Sequence, residues 1–111
     1  MNELDEIYAN FVVELRRGVT NLVVLSQCKQ PSYGYQLVKN LADSGIPLEG
    51  NTVYPLLRRL EDQELLRSDW DTSTDKPRKY YQITEKGRQL LARITSYWRN
   101  SIKNIESILE A

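Results

Sequence analysis

The chain has 111 residues, with 15 Lys and Arg against 15 Asp and Glu, no His and a single Cys, so its formal net charge is zero. That length makes one domain, residues 1–111, with a modest core; the lone Cys28 excludes an internal disulfide, and the lack of His argues against a zinc site or His-based acid–base catalysis. No apolar run of roughly 18 residues is present to span a membrane, and Glu3, Asp5 and Glu6 stand where a signal peptide carries basic residues, so a cytoplasmic protein without membrane contact is expected.

Residues 3–28 read as helix, an N-terminal helical segment occupying 1–28. Leu4, Ile7, Tyr8, Phe11, Leu15, Leu22 and Leu25 recur at spacings that keep one face apolar. Gly18 interrupts the pattern and admits a bend or break, because an internal glycine costs about 1 kcal/mol relative to alanine. Asn21 sits within the apolar stretch, either as an exposed or backbone-bonded side chain or as a polar contact lining a ligand cavity. Pro31 and Ser32 end the segment; Ser32 caps the next helix, or Pro31 occupies its first turn. Tyr35, Leu37, Val38 and Leu41 carry that helix to about residue 44. Ser44-Gly45-Ile46-Pro47 is then a turn in which Gly45 supplies a left-handed cap and Pro47 blocks continuation.

A helix starts near Glu49 and buries Val53, Leu56, Leu57 and Leu60 on one face. Its opposite face carries Asn51, Thr52, Arg58 and Arg59, and Pro55 predicts a local bend. Residues 65–70 and 78–83 read as two strands around a polar tip, 71–77, that contains no glycine. Alternation puts Tyr81 and Ile83 toward the core and Tyr80 toward solvent or a partner. Lys76, Arg78 and Lys79 crowd within four residues beside the turn. A short helix offering amide, hydroxyl and guanidinium groups, followed by a basic hairpin, suits double-stranded DNA: the helix enters the major groove while the hairpin holds phosphates. Asn51 has the geometry to bond adenine bidentately, and the Thr52 methyl to touch a thymine methyl. The plain alternative for Arg58 and Arg59 is a solvated face, with Asp62 pairing to Arg58 at helical spacing. Thr84 caps a last helix running to about residue 109. Leu91, Ile94, Trp98, Ile105 and Ile108 form one seam along it, with Ile102 and Leu109 beside. So small a domain cannot cover that stripe, so a homodimer with its interface along 85–111 is expected.

Asn51-Thr52-Val53-Tyr54-Pro55-Leu56-Leu57-Arg58-Arg59-Leu60-Glu61 resembles the third helix of the PadR family of bacterial transcriptional regulators. Tyr33-Gly34-Tyr35 upstream, and Lys79-Tyr80-Tyr81 and Thr84-Glu85-Lys86-Gly87 downstream, match in order, so the resemblance spans residues 16–100. It implies a mainly α, α+β fold: a winged helix-turn-helix over 29–84 with an added C-terminal dimerisation helix. It also implies a dimer reading a pseudo-palindromic operator and ligand-controlled repression. Carried over, it puts Tyr33, Asn51, Thr52, Tyr54, Arg58, Arg59, Lys76, Arg78, Lys79 and Tyr80 at DNA, with the Tyr33 hydroxyl near the phosphate backbone. Some drug-binding members place a Trp at the position of Trp98, facing its symmetry mate, so that a planar aromatic inducer lies between the two indoles. Ile94, Asn21 and Leu22 are then the walls; the alternative is that Trp98 merely packs.

No nucleophile–base pair, metal-ligand cluster or phosphate-cradling glycine loop is evident, so neither enzyme activity, cofactor nor metal is expected. The rival of another class is a winged-helix protein-interaction module without DNA binding. Net neutrality and the glycine-free hairpin tip favour it.

Overall fold

The computed structural model describes residues 2–111. Among these, five helices and three strands follow the order α1 (Glu3–Arg17), α2 (Thr20–Gln27), β1 (Ser32–Tyr33), α3 (Gly34–Asp43), α4 (Gly50–Asp62), β2 (Leu66–Asp71), β3 (Arg78–Ile83) and α5 (Glu85–Glu110). The long N-terminal helix breaks at Gly18, as the interrupted pattern allows. Asn2 and Asp5 cap α1 reciprocally: Asn2 Oδ1 accepts from the Asp5 N–H at 2.8 Å, and the Asp5 carboxylate accepts from the Asn2 N–H at 3.3 Å.

One core unites α2 through the start of α5. Val24, Leu25 and Cys28 of the α2 segment meet Leu37 and Leu41 of α3, Val53, Leu56, Leu57 and Leu60 of α4, Leu65, Leu66, Tyr81 and Ile83 of the sheet region, and Leu91 of α5. Helix α3 ends as a Schellman turn. Ile46 N–H donates to the Leu41 carbonyl at 2.8 Å and Gly45 N–H to Ala42 at 3.0 Å, with Gly45 at φ +89. This sets the angle between α3 and α4. Helix α4 continues through Pro55 to Asp62; the ring removes the donor that the Asn51 carbonyl would otherwise receive.

The sheet has the order β1-β3-β2, all antiparallel. Strand β1 is absent from the sequence reading. Ser32 does not cap α3, whose N-cap is Tyr33; it pairs with Tyr81 across the ladder, and its hydroxyl donates to the carbonyls of Gln27, at the end of α2, and Gln30. A two-residue strand is too short for alternation to reveal. The register Leu66↔Ile83, Ser68↔Tyr81, Trp70↔Lys79 gives the hairpin one face, which turns toward α4; Arg67↔Gln82, Asp69↔Tyr80, Asp71↔Arg78 gives the other.

The joint between β3 and α5 is a single residue. Thr84 N–H donates to Leu65 O at 3.0 Å, its hydroxyl donates to Glu64 O at 2.7 Å, and the same oxygen accepts from Gly87 N–H at 3.0 Å. Gly87 lies so close beneath β2 that a Cβ there would sit 2.2 Å from the Leu65 carbonyl oxygen. Two apolar surfaces remain uncovered. Helix α1 has no buried residue and exposes Leu4, Ile7, Tyr8, Phe11 and Leu15. The far half of α5 exposes Trp98, Ile102, Ile105, Ile108 and Leu109. No helix is long and apolar enough to cross a membrane among the described residues.

Candidate nucleic-acid interface

Helix α4 is packed by the stripe Val53–Leu57–Leu60, which leaves Asn51, Thr52, Tyr54, Pro55, Arg58 and Arg59 exposed. Successive helical residues diverge, and the two arginines show it. Arg59 Nη2 donates to Asn21 Oδ1 of α2 at 2.9 Å, and with Arg17, Thr20 and Thr52 the pair lines a groove between α2 and α4. Arg58 is exposed and forms no ion pair among the described residues; the pairing with Asp62 that the plain alternative offered is not made. Arg59 is thus tied to the protein's own α2 while remaining exposed. Asn21 is exposed and bonded to a side chain rather than to backbone.

Tyr54 is 40% exposed, and its ring lies over the start of α3: a Cβ on Gly34 would come within 2.3 Å of Tyr54 Cε1. That close approach explains Gly34 between two tyrosines, since any side chain would displace the ring. The Tyr54 hydroxyl consequently sits at the first turn of α3.

Beside it stands a cluster built from β1, α3 and both hairpin strands. Tyr33 and Tyr35 stack at 5.8 Å between ring centroids, and Tyr80 meets Tyr33 edge-on at 6.4 Å. The Arg78 guanidinium lies 4.3 Å over the Tyr33 ring and donates from Nη1 to the Tyr35 hydroxyl at 2.9 Å. The Tyr33 hydroxyl donates to Asp71 Oδ2, and Arg78 Nη2 is 3.8 Å from the same oxygen. The Ser73 hydroxyl and then the Tyr33 hydroxyl hold the Asp71 carboxyl down at about 2, and the bond to Asp71 raises the Tyr33 phenol above its ordinary value. Asp71 is therefore ionised at neutral pH. Without DNA, the Tyr33 hydroxyl expected near the phosphate backbone is engaged within the chain, by Asp71. Neither Tyr33 nor Tyr35 is a core ring.

On the α4-facing side, Lys79 Nζ is 3.6 Å from Glu61 Oε1 and 5.5 Å from the centre of the Tyr81 ring, and the Ser68 hydroxyl donates to Glu61 Oε2. Lys76 is exposed at the hairpin tip, without an ion pair among the described residues. Tyr81 and Ile83 are buried and Tyr80 is half-buried on the opposite face, as alternation predicts.

The structure brings Asn51, Tyr54, Arg58, Arg78 and Lys79 onto α4, the hairpin and the α3 start, and adds Tyr35, Asp71 and Glu61, which sequence reasoning missed. Asp71 was legible in principle, since it lies two residues before Ser73 in an Asx-turn pattern and opposite Arg78 in a hairpin counted from its loop. On α5, Leu91 is 5% exposed and belongs to the protomer's own core, so it is removed from the seam offered to a second chain. Ile94 is half-buried, Leu22 packs against the core, Asn21 lines the groove beside Arg59, and Trp98 is exposed on α5.

The comparisons agree with this architecture. A family model described as the transcriptional regulator PadR-like family matches residues 22–93. A PadR family transcriptional regulator from Eggerthella lenta is 49% identical, with 97% of this chain and 96% of that one covered and a TM-score of 0.93. A PadR-like transcriptional regulator from Bacillus cereus is 27% identical, with 88% and 98% covered and a TM-score of 0.80. An uncharacterised protein of Lysinibacillus sphaericus is 24% identical over 100 residues, 86% of this chain and 92% of that protein. With most of its length matched and its five helices and three-stranded sheet reproduced in relatives of the same kind, the chain belongs to the PadR-like family of transcriptional regulators and is not an enzyme.

Proposed function

We propose that the chain is a cytoplasmic, homodimeric repressor that binds a pseudo-palindromic DNA operator and is released by a planar aromatic ligand held between the two Trp98 side chains. One observation carries the DNA reading: Asn51, Tyr54 and Arg58 are exposed on α4, the Tyr54 ring reaches the α3 start, and the hairpin adds Arg78 on one face and Lys79 on the other. Asn51 suits base edges, and Arg58 with the hairpin donors suits phosphates. Dimerisation is supported by the bare apolar faces of α1 and distal α5, since each large apolar side chain left in water forgoes about 1.5–3 kcal/mol. Two copies would set half-sites about one helical turn, roughly 34–36 Å, apart.

Selection of bound fragments from random duplex DNA tests this. An enriched palindromic motif is expected, whose scrambled version binds far more weakly at physiological salt; equal binding of both refutes operator recognition. The net charge of zero and the engagement of Lys79 and Arg78 by Glu61 and Asp71 favour the rival, an interaction module without DNA binding. Absence of any enriched motif would decide for it. The inducer is tested by tryptophan fluorescence in a Trp70→Phe background. A planar aromatic dye is expected to quench Trp98 saturably and to lower DNA affinity over the same concentrations. If a broad aromatic panel does neither, Trp98 serves packing alone.

A further inference from the structure

We propose that Asp71 is a specificity-determining residue of the DNA interface: its outer carboxylate oxygen holds Tyr33 and Arg78 until a correctly placed DNA phosphate takes them over. The inference rests on the DNA-binding reading above and concerns a residue of opposite charge to the usual phosphate ligands.

The two oxygens of Asp71 have separate tasks. Oδ1 accepts from the Ser73 N–H at 2.9 Å and from the Ser73 hydroxyl at 2.6 Å, which fixes the chain where it leaves β2. Oδ2 accepts from the Tyr33 hydroxyl and faces Arg78 Nη2 at 3.8 Å. A phenolic donor one residue before α3 and a guanidinium from the start of β3 are the kinds of group that grip a phosphate oxygen. Here an oxygen of the chain's own carboxylate occupies that place.

The grip is incomplete, and this makes exchange feasible. Charge-assisted N–H···O bonds run at about 2.7–2.9 Å, and Arg78 stays well outside that distance from Asp71. Nη1 is taken by the Tyr35 hydroxyl, whereas Nη2 has only this long contact, so it keeps bonding capacity that a phosphate at closer range can satisfy. When Oδ2 gives up its partners, Oδ1 keeps both Ser73 bonds, so the hairpin turn survives the exchange.

Specificity is a difference of affinities. On a non-cognate duplex, phosphates that do not reach the cluster leave Tyr33 and Arg78 on Asp71, and the retained negative charge repels the backbone. On the operator, base contacts from α4 fix the register, a phosphate is brought into range and the exchange goes through. Asp71 thus penalises wrong sequences more than the right one.

The test measures wild type, Asp71→Asn and Asp69→Asn against the selected operator and a scrambled duplex over a salt series. Asp69 is the charge control: it lies on the same face of β2, is exposed, and accepts only from the neighbouring Trp70 N–H. Asp71→Asn should raise affinity for the scrambled duplex about tenfold and steepen its salt slope by about one, with less than about threefold gain on the operator. Asp69→Asn should move both duplexes alike. A second arm keeps Asp71 in place. Arg78→Gln should weaken the operator complex and leave the scrambled one within about twofold, while Arg58→Gln weakens both. The proposal is overturned if Asp71→Asn tracks Asp69→Asn, if it weakens both complexes, or if Arg78→Gln weakens both equally. Should the wild type fail to distinguish the two duplexes, the DNA-binding reading itself falls, and this proposal with it.

Discussion

Arg59 Nη2 meets Asn21 Oδ1 at 2.9 Å, so the neighbour of the outward-facing Arg58 ties α4 to α2. Because the bond is exposed, Asn21→Ala and Arg59→Ala should each lower stability by roughly 0.5 kcal/mol, and the double variant by no more than either alone. Arg58→Ala should leave stability almost unchanged yet weaken binding to all DNA and reduce the salt slope by about one. Urea melts of the three variants check the first part and salt-dependent binding the second. Fully additive losses for Asn21 and Arg59 would mean that the bond carries no energy.

Gly87→Ala should be among the most damaging single changes in the chain. The new Cβ would lie 2.2 Å from the Leu65 carbonyl oxygen and 2.6 Å from Ile83 Cγ1. Backbone cannot step aside cheaply, so a loss of about 1–3 kcal/mol or more is expected in a thermal melt. Gly34→Ala meets the Tyr54 ring, the movable end of a side chain. It should cost less stability but displace Tyr54, and DNA affinity is the readout that separates the two glycines.

These contacts mark how far the sequence could be read. Helix spacing predicted the buried stripe Val53–Leu57–Leu60 and the break at Gly18, and alternation assigned Tyr81 and Ile83 inward, because such patterns are properties of neighbouring residues. Strand β1, the Asn21–Arg59 bond and the Tyr33–Asp71 contact join residues far apart in the chain, and nothing local distinguishes the polar side chains that make them. Leu91 was misassigned for a related reason: the seam on α5 is continuous in sequence, but the core takes its first member.

The uncovered faces of α1 and α5 predict association. Ile94→Asp combined with Ile105→Asp should convert dimer to monomer or to unfolded chain. Equilibrium sedimentation at micromolar concentration checks this, and a wild type that is purely monomeric there removes the dimer from the proposal.

Cys28 offers a pH test. Burial pushes its thiol up to about 12 from an ordinary 9.0, so the folded state keeps the proton after the unfolded chain has lost it. Its contribution is intact below pH 9 and should decline as pH rises from there toward 12. Denaturant midpoints between pH 8 and 11 should fall less steeply for Cys28→Ala than for wild type. Parallel slopes would show that the thiol has no part in alkaline destabilisation.

The one-residue joint at Thr84 has a consequence in angles. Trp98 lies about 20 Å along α5 from that joint, at 1.5 Å per residue. A planar ring sliding between two indoles needs about 3.5 Å, or half of that for each protomer. Over such an arm, the half-shift is a rotation of about 5°. With Gly87 wedged under Leu65, no loop exists to absorb the turn, and the six-residue strands extend about 20 Å beyond the joint. Each hairpin tip would swing as far as its Trp98 is pushed, so the pair would shift by up to about 3.4 Å, the rise of one base pair. Spin labels at Thr74 of both protomers should register that step when a planar dye is added. An unchanged distance would place slack at the joint and leave the ligand no leverage over spacing.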